Sequence, residues 1–169
     1  MRAPRSLTTA FSLAAVLGLA ACGGDDEPSF SERTLKFTER ETDNFGFTDS
    51  PPKTEMGSEG PRGFSNGDQL TFSSDLLDRS ARDVGDLDVT CTVTRPGGFQ
   101  DSHQNCQGTA TLPGGNIALA RGGRVFGGGD ASGAVVGGTA DYAGATGVFS
   151  ETEQSEGRTQ YTIDLVLPQ

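Results

Sequence analysis

Glycine interrupts this chain so often that long helices are excluded. The sequence has 25 glycines among 169 residues, and SSDLLDRSARDV at 73–84 is the one segment with room for a turn or two of helix. Between the breaks, short segments alternate apolar and polar residues with the period of two that is typical of strands. Eight such segments follow one another: TLKFTER, DQLTFSSDLL, DLDVTCTVTR, CQGTATL, NIALAR, GAVVGGT, TGVFSE and TQYTIDLVL. The pattern predicts an all-β fold with little or no helix.

The last segment runs almost to the end of the chain, which favours closure of the sheet on itself. A closed barrel leaves no edge strand exposed to pair with neighbouring molecules. With eight strands, its interior is wide enough for side chains or for one small ligand. We therefore predict a single domain at 33–169, a closed antiparallel eight-stranded barrel.

A long segment without a strand pattern separates the first two strands, at about 43–67. Its prolines and glycines exclude regular structure, and a loop of this length is usually functional or disordered. It carries Phe45, Phe47 and Phe64. Two interpretations remain open: a lid over an opening of the barrel, or a surface loop with buried aromatic side chains.

The N-terminus has the pattern of a secretory signal. Arg2 and Arg5 precede an apolar stretch that is too short to span a bilayer comfortably. It ends in Leu19-Ala20-Ala21-Cys22, which resembles the bacterial lipobox, where the cysteine is acylated and becomes the mature N-terminus. We therefore expect a signal peptide at 1–21, a lipid on Cys22, a flexible tether at 22–32, and a protein anchored on the bacterial cell envelope. An ordinary signal peptide with an unmodified cysteine is the alternative.

Charge and cysteine content exclude several classes of partner. The formal charge is −10, and −12 once Arg2 and Arg5 leave with the signal peptide, which argues against nucleic-acid binding. Cys91 and Cys106 flank the turn sequence RPGGFQ, and in an oxidising compartment they are expected to form a disulfide across neighbouring strands. One histidine and no paired cysteine spacing leave no basis for a metal site.

Five segments together resemble the allene oxide cyclase-like barrels, a superfamily that includes the dirigent proteins and some bacterial cyclases. They are GDQLTFSSDLLD, DVTCTV, CQGTATLPGGNIAL, AVVGGTADYAGATG and YTIDLVL. The most specific part is Gly137-Gly138, followed by Thr139 and Tyr142. Because glycines inside strand patterns mark bulges or sharp corners, we expect the strand to bend there at the barrel rim, with Tyr142 packed over the bend. The resemblance implies a small apolar lumen, no cofactor, and assembly into trimers or dimers.

The resemblance also suggests residues for a site. The first strand of the plant cyclases supplies a glutamate, which points to Glu39 and Glu41 as catalytic candidates, and Ser74 stands where those cyclases have an asparagine that holds a water. Asp75 could supply a further acid–base group, and Tyr142 and Tyr161 could act as polar groups toward a ligand. The asparagine is missing here, and Thr146 stands where dirigent proteins have an arginine. These departures argue against allene oxide cyclase activity itself and against dirigent coupling.

Three functions remain from different classes. The barrel binds a small apolar molecule in its lumen; it is a cofactor-independent cyclase or isomerase; or it is filled by its own side chains and serves as a structural or oligomeric surface module. Lipidation favours binding or the structural module over an enzyme. The lumen discriminates among them: an open apolar cavity with one or two buried carboxyl groups favours an enzyme, an open cavity without them favours binding, and a filled interior favours the module.

Overall fold

Eight strands form one closed antiparallel barrel in the computed structural model, which confirms the predicted fold class. The structure describes residues 28–51, 56–57, 60–61, 63–98, 101–124, 130–154 and 158–169. The barrel strands are β1 (Phe30–Thr48), β2 (Gln69–Leu77), β3 (Asp83–Arg95), β4 (His103–Leu112), β5 (Gly115–Arg124), β6 (Ala131–Gly138), β7 (Thr146–Glu153) and β8 (Thr159–Pro168). The expected signal peptide, Cys22 and most of the expected tether lie outside the described residues. Within the described ranges, no helix is long and apolar enough to cross a bilayer.

The strands form a simple meander that β1 closes. Each strand from β2 to β8 pairs with the next, and β1 pairs with β8 over Phe30–Thr38 and with β2 over Thr38–Thr48. The first strand is therefore longer at both ends than the sequence indicates. It begins within the expected tether and runs through 43–48, where the sequence predicts a loop. A shift in register between Glu41 and Phe45 breaks the alternation there, and this bulge explains why the pattern is not recognisable as a strand.

The described part of the segment between β1 and β2 is held on the barrel by one buried aspartate. The carboxylate of Asp68, with no exposed surface, accepts hydrogen bonds from the backbone N–H groups of Ser50 at 2.8 Å and Ser65 at 2.7 Å, and from Ser65 Oγ at 2.7 Å. Phe64 is buried and packs edge-on against Phe47, with ring centroids 6.1 Å apart. These contacts agree with the interpretation of a loop fixed by buried aromatic side chains.

Apolar side chains fill one end of the barrel completely. At the end where β1 begins and β8 finishes, the interior holds a cluster that includes Leu76, Leu87, Ile117, Ile163 and Leu165, each with at most 2% of its surface exposed. A second, smaller cluster lies toward the other end and consists of Phe64, Leu70, Val93 and the two cysteines. Cys91 and Cys106 are directly opposite in the β3–β4 pair and form the expected disulfide.

The double glycine at the end of β6 makes the expected bend. The register of β6 against β5 shifts between Val135 and Gly137, and a short 3-10 turn at Ala140–Tyr142 follows. Gly138 lies directly against that turn, because a Cβ atom placed on it would be 2.3 Å from the carbonyl oxygen of Tyr142 and 2.7 Å from its Cβ. Tyr142 thereby packs back over the bend and is 3% exposed.

Gly138→Ala should therefore destabilise the barrel, because the backbone of the 3-10 turn must move to make room for the methyl group. We expect a loss of about 1–3 kcal/mol in the free energy of unfolding, measured by urea denaturation. Gly123→Ala on β5 is the matched control, since nothing lies within 4 Å of a Cβ atom placed there. Equal losses in both variants would show that close packing against Tyr142 is not the reason for the glycine.

Candidate functional site

A cavity of about 500 Å³ lies in the lumen between the two apolar clusters. Its apolar wall includes residues of both clusters and aromatic side chains: Leu70, Phe72, Leu87, Val89, Leu119 and Phe149. Six of its polar side chains converge on one region: Glu39, Ser74, Arg121, Glu151, Thr159 and Tyr161. The lining also includes Glu41, Thr42, Ser73 and Gln104. A mostly apolar cavity of this size with a few convergent polar groups is typical of small-molecule sites.

Strand alternation brings the residues of β1 into this cavity. Phe37, Glu39 and Glu41 share the inner face, and they run from the filled end toward the open one. Phe37 belongs to the core cluster, Glu39 is 8% exposed, and Glu41 is exposed at the mouth of the cavity. The two predicted catalytic glutamates therefore both line the lumen, but at different depths.

Glu39 is a buried carboxyl group with hydrogen-bond partners on two neighbouring strands. Ser74 Oγ on β2 donates a hydrogen bond to Glu39 Oε1 at 2.5 Å, and Thr159 on β8 also forms a hydrogen bond with Glu39. Burial raises the pKa of Glu39 above its usual range, and the nearby charges of Glu41 and Glu151 raise it further, whereas the two hydrogen bonds oppose the shift. The result is a carboxyl group that holds its proton to higher pH than an exposed glutamate does.

An ion pair lies in the same polar region. Arg121 Nη1 on β5 is 2.5 Å from Glu151 Oε2 on β7, and each side chain is 19% exposed. Glu151 is directly opposite Tyr161 in the β7–β8 pair. Burial raises the pKa of the Tyr161 hydroxyl above its usual range, as do the carboxyl groups of Glu39 and Glu151, so Tyr161 is a neutral phenol.

Sequence reasoning did not identify Arg121, Glu151 or Thr159. A signal for the first two was present, because alternation places Arg121 on the same face as Leu119, and Glu151 on the same face as Phe149. Both apolar residues are buried. A charged residue at an inner position of a predicted barrel is therefore worth treating as a candidate.

Two predicted ligand-binding residues are not among the side chains that line the cavity. Asp75 follows the inward-facing Ser74 and lies on the outer face, where its carboxylate accepts a hydrogen bond from Arg40 Nε at 2.8 Å. Tyr142 is buried beyond the filled end, with the Arg33 guanidinium 5.5 Å from the centre of its ring. The structure brings together Glu39, Glu41, Ser74 and Tyr161, and it separates Asp75 and Tyr142 from them.

Metal binding finds no support in the part of the chain that the structure describes. In those residues, no three histidine, cysteine, aspartate or glutamate side chains form a group that could hold a metal ion. Glu39 and Glu151 are on different strands, and Arg121 occupies the position beside Glu151 that a cation would need. The arrangement is suited to hydrogen bonding and proton transfer with an organic ligand.

The sequence matches the family model described as allene oxide cyclase barrel like domain over residues 49–167, which covers every barrel strand except β1. Comparison with curated proteins finds no match. Solved structures with a similar fold include a pyocyanin demethylase, with a TM-score of 0.62 at 19% identity over 79% of this chain and 99% of that one. A pterocarpan synthase dirigent protein, GePTS1, has a TM-score of 0.60 at 13% identity over 82% of this chain and 84% of that one. An exo-specific intermolecular Diels-Alderase, AbnU, has a TM-score of 0.53 at 15% identity over 80% of this chain and 98% of that one.

The raised pKa of Glu39 makes a prediction for the pH dependence of stability. The folded protein holds this proton more tightly than the unfolded chain does, so stability falls as pH rises from the ordinary glutamate value of 4.5 up to the raised pKa. Glu39→Gln removes this loss and keeps an acceptor for Ser74. The free energy of unfolding of the variant, relative to wild type, should therefore increase with pH across that window.

Urea denaturation at a series of pH values measures this difference. Glu32→Gln is the matched control, because it removes the same charge from an exposed position on the same strand. Parallel curves for wild type and both variants would show that Glu39 is not destabilised by ionisation.

Proposed function

This chain belongs to the family of allene oxide cyclase barrel like domains, and from that premise we propose that it is a cofactor-independent isomerase or cyclase. The lumen binds a small, largely apolar molecule, and Glu39 exchanges a proton with it. The solved structures with this fold include a dirigent protein and a Diels-Alderase by their names. At such low sequence identity, these structural similarities show the fold alone. The proposal for activity therefore depends on the lumen of this chain.

The observation that carries the proposal is the environment of Glu39. A buried carboxyl group with a raised pKa is suited to general acid–base catalysis, because it holds its proton to higher pH than an exposed glutamate does and can still transfer it. The hydrogen bonds from Ser74 and Thr159 fix its orientation toward the cavity. An open apolar cavity with a buried carboxyl group is the arrangement that favours an enzyme over a passive carrier.

The apolar wall supplies the second part of the mechanism. Leu87, Leu119 and Phe149 belong to the close-packed core and present a fixed surface to the ligand. Holding a flexible substrate in one reactive conformation reduces the entropy that it must lose on the way to the transition state. Because the wall excludes water, each hydrogen bond to Glu39 or Tyr161 is also stronger than it would be in solution.

Binding without chemistry is the second candidate. The N-terminal sequence favours it, since a lipid on Cys22 would hold the protein on the envelope, where carriers of apolar molecules are useful. Each buried methylene of a lipid contributes about 0.8 kcal/mol, so several acyl chains make a stable anchor. The two candidates share the lumen and differ only in the role of Glu39. The filled-barrel module is disfavoured by the cavity itself.

Occupation of the lumen can be tested by filling it. Gly108 lies on the cavity wall, and a Cβ atom on it would be 3.4 Å from Val89 Cγ2 and 3.6 Å from Leu87 Cδ1, so a larger side chain would enter the cavity. Gly108→Phe should weaken uptake of the neutral fluorescent probe N-phenylnaphthylamine by tenfold or more, about 1.4 kcal/mol. Thr111→Phe, at an exposed position of the same strand outside the cavity lining, should leave it unchanged, and equal loss in both variants would contradict lumen binding.

Chemistry at Glu39 can be tested without knowing the natural substrate. We expect the protein to accelerate exchange of the protons next to the carbonyl of tetralone in heavy water, followed by NMR. Glu39→Gln should reduce that acceleration by about a hundredfold or more, as is typical when a general acid–base is lost. Tight uptake of the probe with no exchange above the buffer rate would leave binding as the function.

Anchoring is tested separately through Cys22. Full-length protein expressed in a bacterium should be found in the membrane fraction and carry radiolabel from added palmitate. Cys22→Ala should abolish the label and move the protein out of that fraction. Retention of the label in this variant would exclude Cys22 as the site of the lipid.

A further inference from the structure

We propose that the ligand of this lumen is an organic cation with a delocalised, mostly aromatic body. The inference specifies the ligand class and rests on the proposed function, since it assumes that the cavity is the ligand site. Three features favour this class of ligand: the charges on the cavity wall, the aromatic side chains of that wall, and the net charge of the whole chain.

Carboxyl groups outnumber cations on the cavity wall. Among the described residues that line it, Glu39, Glu41 and Glu151 are acidic, and Arg121 is basic. Arg121 is paired with Glu151 at 2.5 Å, so these two charges compensate each other. Apart from that pair, the charged side chains of the described lining are Glu39 and Glu41, and both are acidic. A positively charged ligand would reduce the repulsion between these two groups, whereas an anion would add to it.

Arg121 is paired with Glu151 rather than with Glu39 or Glu41. Arg121 is on β5 and Glu151 is on β7, so the pair extends across β6, whose inner positions there are Ala131 and Gly133. Glu39 and Glu41 are on β1, which pairs with β8 and β2. The positive charge of Arg121 is therefore already compensated, and Glu41 at the mouth lies outside that pair.

Aromatic rings make up a large part of the rest of the wall. Phe45, Phe72, Phe149 and Tyr161 all line the cavity, and Phe45 is 61% exposed where the lumen opens. The face of an aromatic ring attracts cations, and the attraction reaches about 2 kcal/mol where water is excluded. A flat cation with an apolar body would use these rings, the aliphatic wall and the carboxylate of Glu41 together.

The charge of the chain favours the same class. A formal charge of −10 attracts cations to the surface and repels anions, which affects the rate at which each reaches the mouth. A neutral ligand would use the apolar wall but would leave the carboxylate of Glu41 without a partner. An anionic ligand would be opposed at the mouth by Glu41.

Three ligands of the same size and different charge test the proposal: N-methylacridinium, neutral acridine at a pH above its protonation, and acridine carboxylate. Their fluorescence can be followed directly in the full-length protein, which has no tryptophan. We expect the cation to bind at least about tenfold more tightly than acridine, and the carboxylate to bind most weakly. Gly108→Phe should abolish binding of the cation, whereas Thr111→Phe should not.

Charge variants locate the source of the preference. Glu41→Gln should reduce the affinity for the cation several-fold and leave that for acridine unchanged, while Glu32→Gln, at the filled end, should change neither. In the double variant Glu41→Gln/Glu151→Gln, Arg121 would be the uncompensated charge, and the preference should reverse toward the carboxylate. Because Glu41 is exposed, its single variant is expected to fold normally.

The outcomes separate this inference from the proposed function. If acridine binds as tightly as the cation, and Gly108→Phe abolishes both, the lumen is a binding site and the cation preference is overturned. If the cation binds more tightly but Glu41→Gln has no effect, the charge argument is overturned. If none of the three binds, both the inference and the proposed function are overturned.

Discussion

Closure of the barrel depends on β1, and the seam that closes it also places a carboxyl group in the lumen. Thr38 is opposite Gln160 on β8 and Leu77 on β2, so β1 passes from one partner strand to the other at this residue. Glu39 comes next and points inward at the seam, where Ser74 and Thr159 reach it from the two sides. Burial at this position is the main reason that the pKa of Glu39 is raised.

The strands of the barrel and half of the site could be predicted from the sequence, through alternation together with the resemblance to known barrels. A strand with Phe37 in the core must also turn Glu39 inward, and a strand with Ile163 and Leu165 in the core must do the same with Tyr161. The period of two is dictated by backbone geometry, so it can be recognised in the sequence without knowing which strands pair with one another. The same holds for the disulfide, because a hairpin brings Cys91 and Cys106 together by local pairing.

The rest depends on contacts between strands that are distant in sequence. Arg121 and Glu151 meet across β6, and nothing local to either residue indicates that partner. The bulge after Glu41 changes which side chains of β1 face inward, so the strand at 43–48 has no readable pattern. Asp75 illustrates a further difficulty: adjacent polar residues both look suitable, and only the register of β2 shows that Ser74 is inside.

The filled end has a kinetic consequence for whatever occupies the lumen. Among the described residues, Leu76, Ile117 and Leu165 close that end with almost no exposed surface, and the route into the lumen passes Glu41 and Phe45. For the proposed isomerase, product and fresh substrate would compete for this passage and could not be inside together. The barrel would then hold one molecule at a time, and the rate of product release through the mouth would limit turnover.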